Sequence, residues 1–529
     1  MRFKISILKD EKEIIRKKIC SLLKIHDNAL NSYKIVKKSI DSRDKNNIFY
    51  VYEFDVDVDV REEKQILSRI QSKDIFETPV EKYIFPELGN QKLAQRPIIV
   101  GSGPAGLFCG YMLAEAGFCP IILEQGDNME NRVKAVEDFF ENNRLDSFSN
   151  IQFGEGGAGT FSDGKLNTMV KDKLFRGKKV FEIFVENGAP ENILYLSKPH
   201  IGTDLLRDII VNIREKIISM GGEFHYRSQL TDLGIIHGKL ETIEINHQKR
   251  IPCSLLVLAI GHSARDTFYM LYHQGLKMKS KNFAVGVRVE HSQKMINESQ
   301  YGKFAHLLPP ASYKLTYQSS NGRGVYSFCM CPGGFVVNAS SEVGRLAVNG
   351  MSNHKRDGEN ANSALVVTVT SKDFGSGVLD GVEFQRELEK QAFSLGNGLI
   401  PLQLYRDFVQ NKKSEALGKV IPSVKGGYSL ANLNDLFSSD IQLALKEAIP
   451  YFGKKIKGFD CDDMLLFGVE SRTSSPVIME RNEEGVSSIG GVYPCGEGAG
   501  YAGGITTAAM DGIAVAEKIA KKYYYSKKV

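Results

Sequence analysis

The first ninety residues carry two patterns of hydrophobic and polar positions. In Phe54–Val60 apolar residues alternate with aspartates, which is the pattern of a half-exposed strand. Other stretches repeat apolar residues at helical spacing. The predicted elements are, in order, a strand at Met1–Leu8, a helix at Glu11–Leu23, strands at Tyr33–Ser39 and Ile48–Val60, a helix at Glu62–Ile70 and a tether at Thr78–Arg96. Together they predict a small α+β unit.

The pattern then changes to that of a βαβ unit. A short apolar strand is predicted at Pro97–Val100, and a glycine-rich loop follows it directly. A helix at Leu107–Ala116 and a second apolar strand at Pro120–Leu123 complete the unit. Later in the chain, Thr203–Ser219 has the spacing of a helix that begins at an N-cap threonine.

From residue 283 to residue 458 the chain is rich in Val, Tyr and Phe strands separated by Gly/Pro turns. The last sixty residues return to the α/β pattern, with a strand near Gly491–Pro494 and a helix from Gly504 to Lys521. The sequence therefore predicts the α/β class. The predicted domains are an N-terminal α+β domain at 1–90, a discontinuous Rossmann-like cofactor domain at 91–282 and 459–529, and an inserted β-rich substrate domain at 283–458.

Composition adds limits to this picture. The 529 residues are 42% hydrophobic and 25% charged, which is typical of a globular protein with a deep core. A net charge of +5 over this length predicts neither a nucleic-acid nor a membrane partner. The N-terminus lacks the apolar core of a signal peptide. The longest apolar run, Leu255–Ile260, is far short of the roughly 20 residues of a membrane helix.

Two further features concern location and partners. Eight cysteines are scattered without a CxxC pair, which predicts reduced thiols in the cytoplasm. The first 40 residues hold eleven Lys/Arg against four acids. This excess fits an RNA or protein surface, although a solvated helix face is the simpler interpretation.

The glycine loop predicts dinucleotide binding because its context matches a Rossmann domain. Gly101 permits the tight turn, Gly103 lets the backbone approach a pyrophosphate, and Gly106 lets the helix pack against the strand. Glu124, at the tip of the next strand, is placed to accept hydrogen bonds from a ribose. The predicted cofactor-binding residues of this unit are Gly101, Gly103, Pro104, Ala105, Gly106, Glu124 and Gln125.

Two later segments distinguish FAD from NAD. The buried run Leu255–Ile260 ends in a small-residue turn at Gly261 and His262, which resembles the turn where two-domain flavoproteins leave the flavin domain. Near the C-terminus, a strand ends at Gly496 and Glu497, as in the second FAD fingerprint, where the acid holds the ribityl chain. A helix then begins at Gly504, Ile505 and Thr506, and its positive end would face the flavin pyrimidine edge. The predicted cofactor is FAD.

A glycine-dense loop at Gly154–Lys165 is the next informative segment. So many glycines cost conformational entropy on folding, and close passage beside a flavin ring would explain them. Gly157, Gly159 and Thr160 are therefore predicted to bind the cofactor, and Lys165 is a candidate charge near the flavin. Arg132 follows the acid-bearing strand at the distance where related flavoproteins place a phosphate-binding arginine.

The chain resembles a family of FAD-dependent dehydrogenases of bacteria and plastids, within the glutathione-reductase-like flavoprotein class and distantly similar to geranylgeranyl reductases. The resemblance covers most of the chain, and it implies the fold and the cofactor but no reaction. The segments that carry it are FGEGGAGTFSDGKL, HIGTDLL, GVYSFCMCPGG, NGMS, RDGENANSALVV and ESRTSSPV.

Residues for chemistry are less well defined. The loop ESRTSSPV is rich in donors and supplies Arg472 and Ser474 as catalytic candidates beside Lys165. Cys329 and Cys331 form a CxC pair whose spacing lies at the upper limit of disulfide geometry, so buried packing is the simpler interpretation and a redox pair the alternative. Arg288 and Glu290 are weaker candidates, since such a pair is more often found at the surface. No HxH or HxxxH spacing predicts a metal.

The function predicted is that of an FAD-dependent oxidoreductase. It would move hydride between flavin N5 and a small organic substrate, with NAD(P)H as a transient donor because the sequence has no second nucleotide loop. Two alternatives stay open: a flavin-dependent RNA-modifying protein that uses the basic N-terminal unit as a guide, and a redox sensor in which FAD is structural.

Overall fold

The computed structural model describes residues 1–70, 72–80, 82–168 and 170–526. The N-terminal unit folds as the sequence predicts, with a three-stranded antiparallel sheet in the order β1-β3-β2 and one apolar face covered by its first helix. Its elements are β1 (Arg2–Ser6), α1 (Lys12–Leu23), β2 (Leu30–Asp41), β3 (Phe49–Val58) and α2 (Val60–Arg69).

The next part of the chain contains the predicted βαβ unit. Its elements are β4 (Gln91–Lys92), β5 (Ile98–Val100), α3 (Pro104–Glu115), β6 (Ile121–Leu123), α4 (Met129–Asn142), α5 (Arg176–Glu186), α6 (Thr203–Ser219), β7 (Glu223–His225), β8 (Leu230–Ile236), β9 (Lys239–Ile245), β10 (Lys249–Pro252), β11 (Leu256–Leu258), α7 (Arg265–His273) and β12 (Met278–Ser280). Strands β8, β9 and β10 form a separate antiparallel sheet.

The β-rich part follows, and the chain then returns to the first. The elements of the β-rich part are β13 (Phe283–Ser292), α8 (Gln293–Tyr301), β14 (Thr316–Gln318), β15 (Gly324–Cys331), β16 (Phe335–Asn338), β17 (Val348–Met351), β18 (Asn360–Val369), α9 (Ser371–Phe374), α10 (Asp380–Leu395), β19 (Ile400–Leu404), α11 (Tyr405–Val409), β20 (Val424–Lys425), β21 (Tyr428–Leu430), α12 (Ser439–Lys455) and β22 (Leu465–Glu470). The last elements are β23 (Val477–Met479), β24 (Val492–Pro494), α13 (Ile505–Lys522) and β25 (Tyr523–Tyr524).

A five-stranded parallel sheet organises the cofactor part, in the order β24-β11-β5-β6-β7. Its strands come from segments nearly four hundred residues apart in the chain, so the sheet is discontinuous. Helix α3 is buried on nearly every side because it packs between this sheet and α13. The two helices approach closely at Gly512, where an added Cβ would lie 2.2 Å from the Ala105 carbonyl oxygen. The α/β class is confirmed.

A seven-stranded mixed sheet organises the β-rich part, in the order β14-β15-β18-β13-β22-β19-β21. Strand β22 lies inside this sheet, between β13 and β19. The predicted boundary at residue 458 is therefore too early, and the β-rich part extends through Glu470. The sequence misled because Leu465–Val469 is a run without polar side chains, which is equally typical of a buried parallel strand.

Among the described residues, no helix combines the length and apolar character needed to cross a bilayer.

Candidate functional site

A deep cavity opens where the parallel sheet meets the seven-stranded sheet. It encloses about 1720 Å³ of space, including its solvent-open mouth. The carboxyl ends of β5, β6 and β11 border it on one side, as expected for ligand sites of open α/β sheets. On the other side lie Phe328 and Cys329 from strand β15 of the seven-stranded sheet, and Asn349 from strand β17. The cavity thus joins segments of both parts of the chain.

Most of the residues predicted from sequence surround this cavity. The wall contains Gly101, Gly103, Pro104, Ala105, Glu124, Gln125, Gly157, Gly159, Lys165, Gly261, His262, Arg472, Glu497, Gly504 and Ile505. Among the described residues that line the cavity, six predicted residues are absent: Gly106, Arg132, Thr160, Ser474, Gly496 and Thr506. The glycine loop, the Gly154–Lys165 loop, the turn at Gly261 and the segment from Glu497 to Ile505 therefore meet around one cavity. Most of the six residues outside the wall make other contacts, which are described below.

The three glycines of the glycine loop have different roles. An added Cβ at Gly106 would lie 1.9 Å from the Gly101 carbonyl oxygen, so Gly106 permits helix packing and does not face a ligand. Gly101 has φ +101° and lies against the Ala259 carbonyl. At Gly103, by contrast, the nearest described atom to an added Cβ is the Gly157 Cα at 3.6 Å. A side chain at Gly103 would enter the cavity itself.

The N-termini of two helices face the cavity. Helix α3 begins after Gly103 and helix α13 begins after Gly504, and no described side chain caps either helix. The first backbone N–H groups of each helix are therefore available to an anion or carbonyl acceptor. At Gly503 and Gly504 no described atom lies within 4 Å of an added Cβ. Both ends fit a dinucleotide with a flavin ring.

His262 and Glu497 form a polar pair on the cavity wall. The His262 Nδ1 lies 3.3 Å from a Glu497 carboxylate oxygen, and the histidine side chain is 10% exposed. Its Nε2 is buried without a hydrogen-bond partner among the described residues. A buried ring nitrogen without a partner is costly, so the pair fits a site that a polar ligand completes.

Glu124 has a different environment from the one predicted. Its carboxylate accepts hydrogen bonds from the Ser102 N–H at 2.9 Å and from the Ser102 hydroxyl at 2.7 Å. It also accepts from the backbone N–H groups of Gly126 and Gly154, each at 2.9 Å. These four bonds use the four lone-pair positions of a carboxylate. Glu124 thus ties the glycine loop to the loop that begins at Gly154, and a ribose hydroxyl would compete with Ser102 for it.

Arg132, predicted to bind phosphate, makes its described contacts with the protein backbone instead. Its side chain is fully buried outside the cavity wall, and its guanidinium donates to backbone carbonyls. It also lies over the Phe161 ring at 4.7 Å. The accepting carbonyls are those of Asn150, Ile151, Gly154, Glu155 and Gly157. Arg132 therefore shapes the glycine-dense loop, because its guanidinium donates hydrogen bonds to five backbone carbonyls that point inward.

Replacing Arg132 with Gln is expected to lower stability by about 3 kcal/mol or more, since a hydrogen bond to a charged group contributes about 1.5–3 kcal/mol. Thermal unfolding with and without added FAD would measure the loss. Lys134→Gln is the matched control, because Lys134 lies exposed on the same helix. Equal unfolding temperatures for the two variants would contradict this role of Arg132.

Three other predicted residues also have contacts within the protein. The Thr506 hydroxyl donates to the Leu166 carbonyl at 2.6 Å. The Gly496 N–H donates to an Asp511 carboxylate oxygen at 2.7 Å. The Thr160 carbonyl accepts from the Thr203 hydroxyl at 2.7 Å, so Thr203 is not the N-cap of α6; that residue is Gly202. These contacts support the loops around the cavity, and cofactor binding by the three residues stays a prediction.

Arg472 lies on the wall, but its guanidinium is engaged elsewhere. Its Nε and Nη2 donate to both carboxylate oxygens of Glu389, at 2.9 and 2.8 Å. Glu389 also accepts two bonds from Arg265, at 2.7 and 2.9 Å. Burial alone would raise the pKa of Glu389, but the two guanidinium groups lower it overall. Arg472 is therefore a structural ion-pair partner, and Ser474 lies outside the described wall.

Lys165 keeps its predicted place at the cavity. Its ammonium group donates to the Met330 carbonyl and lies 3.3 Å from an Asp163 carboxylate oxygen. Burial lowers the pKa of Lys165, but Asp163 and the thiols of Cys331 and Cys329 outweigh burial and raise it. Lys165 is therefore a lasting positive charge on the wall.

The segment around Cys329 is the feature that sequence reasoning undervalued. The register of β15 against β18 shifts between Phe328 and Cys331, so one extra residue bulges from the strand. Cys329 has φ +45°, a left-handed conformation that is uncommon outside glycine. The bulge places Phe328 and Cys329 on the cavity wall. No local sequence signal marks a bulge of this kind, because Cys329 is not a glycine.

Arg288 lies behind this bulge and is buried, contrary to the expected surface ion pair. Its Nε donates to a Glu470 carboxylate oxygen at 2.9 Å. Its Nη1 donates to the Cys329 carbonyl at 3.2 Å, and its Nη2 donates to the Asn349 side-chain oxygen at 3.1 Å. Arg288 thereby fixes two residues of the cavity wall. In the described part of the chain, no group of three His, Cys, Asp or Glu side chains is placed to hold a metal ion.

Two family models match the chain. The model described as "FAD-dependent protein, C-terminal domain-like" matches residues 282–473, which hold the seven-stranded sheet. The model described as "Domain of unknown function (DUF8436)" matches residues 2–57 in the N-terminal unit. The first description confirms the cofactor predicted from sequence.

A relative in Clostridium beijerinckii, described as "Uncharacterized protein", is 49% identical over 523 residues. The alignment covers 98% of this chain and 97% of the relative. The chain belongs to the same family as this protein.

Similar solved structures share much less sequence. The flavin-dependent brominase Bmp2 is 14% identical with a TM-score of 0.37, covering 80% of this chain and 78% of that chain. Glycine oxidase from Bacillus cereus is 10% identical with a TM-score of 0.36, covering 80% and 95%. L-proline dehydrogenase from P. horikoshii is 11% identical with a TM-score of 0.34, covering 82% and 94%.

Proposed function

We propose that the protein is an FAD-dependent oxidoreductase that moves a hydride between the flavin and a small organic substrate. The observation that carries this proposal is the shared cavity, which joins two uncapped helix N-termini to side chains of the seven-stranded sheet. A cofactor held only for structure would have no need of a wall built by a second sheet. The family implied by the resemblance is one of dehydrogenases, and the proposed setting is the cytoplasm.

The residues that would hold FAD follow from the cavity wall. The N-terminus of α3, whose N-cap residue is Gly103, would bind the pyrophosphate. Gln125 lies on the wall next to Glu124 and would face the adenosine end. The N-terminus of α13 and the His262–Glu497 pair would lie along the ribityl chain and the flavin. When bound there, FAD supplies reversible hydride transfer at its N5 atom.

The residues that would face the substrate come mainly from the other wall. Phe328 supplies an apolar surface that excludes water, and Asn349 supplies a polar group held by Arg288. Lys165 supplies the positive charge, which favours a substrate or reduced flavin that carries negative charge. The proposed donor is NAD(P)H, which would bind transiently in this cavity because the sequence has a single nucleotide loop.

The purified protein is expected to be yellow and to release FAD on denaturation. Anaerobic mixing with NADH, NADPH and a panel of reduced organic acids and amines should bleach the visible flavin band with at least one of them. Absorbance spectra and mass analysis of the released cofactor give the two measurements. A bound flavin that no member of the panel reduces would contradict the proposal of an oxidoreductase.

A further inference from the structure

Two cysteines lie beside the cavity at the β15 bulge. Cys329 is half-buried and lines the cavity, and Cys331 is buried two residues later. The Cys331 thiol donates to the Cys329 carbonyl oxygen at 3.3 Å, so the chain folds back between them. In a regular strand the two side chains would be held apart by the extended backbone, but here the positive φ of Cys329 breaks that geometry. The bulge thus brings the Cys331 sulfur within hydrogen-bond distance of the Cys329 backbone.

Positive charge surrounds the pair. Lys165 donates to the carbonyl of Met330, the residue between the two cysteines. Arg288 donates to the Cys329 carbonyl at 3.2 Å. The hydrogen bond from Cys331 lowers the pKa of Cys329, burial opposes this effect, and Lys165 and Arg288 reinforce it. The same coupling, together with burial, raises the pKa of Cys331.

The bulge is also strained. A non-glycine residue in the left-handed region is strained and persists only when its surroundings impose it. Here Arg288, Lys165 and the β18 pairing impose it. This support converges on the backbone that holds the two sulfur atoms.

We infer that Cys329 and Cys331 form a dithiol–disulfide pair that exchanges two electrons with the FAD of the proposed function. On oxidation, the two S–H bonds break and one S–S bond forms. The two electrons and two protons pass to the oxidised flavin. In the reverse direction the disulfide takes two electrons and two protons from the reduced flavin. Cys329 is the residue at the cavity, and Cys331 is its buried partner.

A reductive titration tests the inference on the FAD-loaded full chain. Air-oxidised protein is titrated anaerobically with dithionite, and the electrons needed for complete reduction are counted. Wild type is expected to take two electrons for the flavin and two more for the disulfide. Cys329→Ser and Cys331→Ser are expected to take only two while keeping a full complement of FAD. Cys461→Ser is the matched control, because Cys461 is also half-buried but lies outside the described wall, and it should behave as wild type.

Differential alkylation gives the second readout. In oxidised wild type the peptide with residues 329–331 should resist alkylation until it is reduced, and it should be lighter by two hydrogens. Wild type that keeps FAD, takes only two electrons and alkylates at both cysteines would overturn the inference and leave the proposed function standing. Protein without FAD would overturn both.

Lys165 is a positioning residue for the cysteine pair, and the pH dependence of Cys329 alkylation tests this role. Lys165→Gln removes a cation beside the thiolate, so the pKa of Cys329 should rise. The midpoint of Cys329 alkylation by iodoacetamide is expected to move up by about one pH unit or more. An unchanged midpoint would overturn this role of Lys165.

Discussion

Gly103→Val is expected to abolish FAD binding while the protein stays folded. The backbone at Gly103 is compatible with a side chain, because its φ of −73° is ordinary. The nearest described atom to an added Cβ is 3.6 Å away, so the first atom of the side chain makes only ordinary contact with the protein. It would instead project into the cavity at the first turn of α3, where the pyrophosphate is proposed to lie. Loss of that contact removes the electrostatic attraction of the α3 N-terminus for the cofactor.

The measurement is the ratio of flavin to protein after purification, together with a thermal unfolding curve. Gly324→Val is the matched control, because Gly324 begins strand β15 outside the cavity wall and an added Cβ there meets only ordinary contact at 3.4 Å. Gly106→Ala provides the contrast, because its Cβ collides with the Gly101 carbonyl and should reduce folded yield. A Gly103→Val protein with full FAD content would contradict the proposed pyrophosphate position.

Glu389→Ala is expected to destabilise the protein by about 3–5 kcal/mol, because it leaves buried charges without their partner. Glu389 on α10 is fully buried and accepts hydrogen bonds from Arg265 and Arg472. Arg265 begins α7 of the cofactor part, whereas Arg472 follows β22. A single carboxylate therefore holds together elements from both parts of the chain, next to the cavity.

Urea and thermal unfolding measure this loss, and Glu387→Ala on the same helix is the control. Glu387 is exposed, and its replacement should change stability by no more than about 0.5 kcal/mol. The pKa of Glu389 is lowered in the folded state, so its contribution is fully present above the ordinary glutamate range. That contribution declines as the pH falls below the ordinary glutamate range and is lost once the pH has fallen through the lowered pKa. Wild-type stability for Glu389→Ala would contradict the account.

Sequence reasoning worked where a local pattern has one physical cause. The glycine loop at Gly101–Gly106 predicted a strand, a tight turn and a helix, and each is present because only glycine permits those contacts. It did not foresee the carbonyl partners of Arg132, because spacing along the chain does not say which way a side chain points. An arginine that binds phosphate and an arginine that binds five carbonyls have the same sequence signal.

The same limit applies to Glu124 and Arg472. Glu124 was predicted at the correct strand tip, but its four donors come from Ser102, Gly126 and Gly154. Arg472 was predicted in the correct loop, but its partner Glu389 lies 83 residues away in the chain. Such pairs depend on how helices and sheets pack, and a single sequence carries no record of the packing.

The sequence by itself determined the class, the cofactor and the segments that meet at the cavity, because turns, helix starts and strand periodicity are local properties. Tertiary structure alone decided which residues face the cavity and which support it. When a charged side chain is buried, it loses its contacts with water and needs hydrogen-bond partners in the protein. The packing of elements that are distant in the chain determines which partners it meets. The Cys329 bulge is the clearest case. Its pairing with β18, together with Arg288 and Lys165, places a cysteine where the strand pattern predicted only packing.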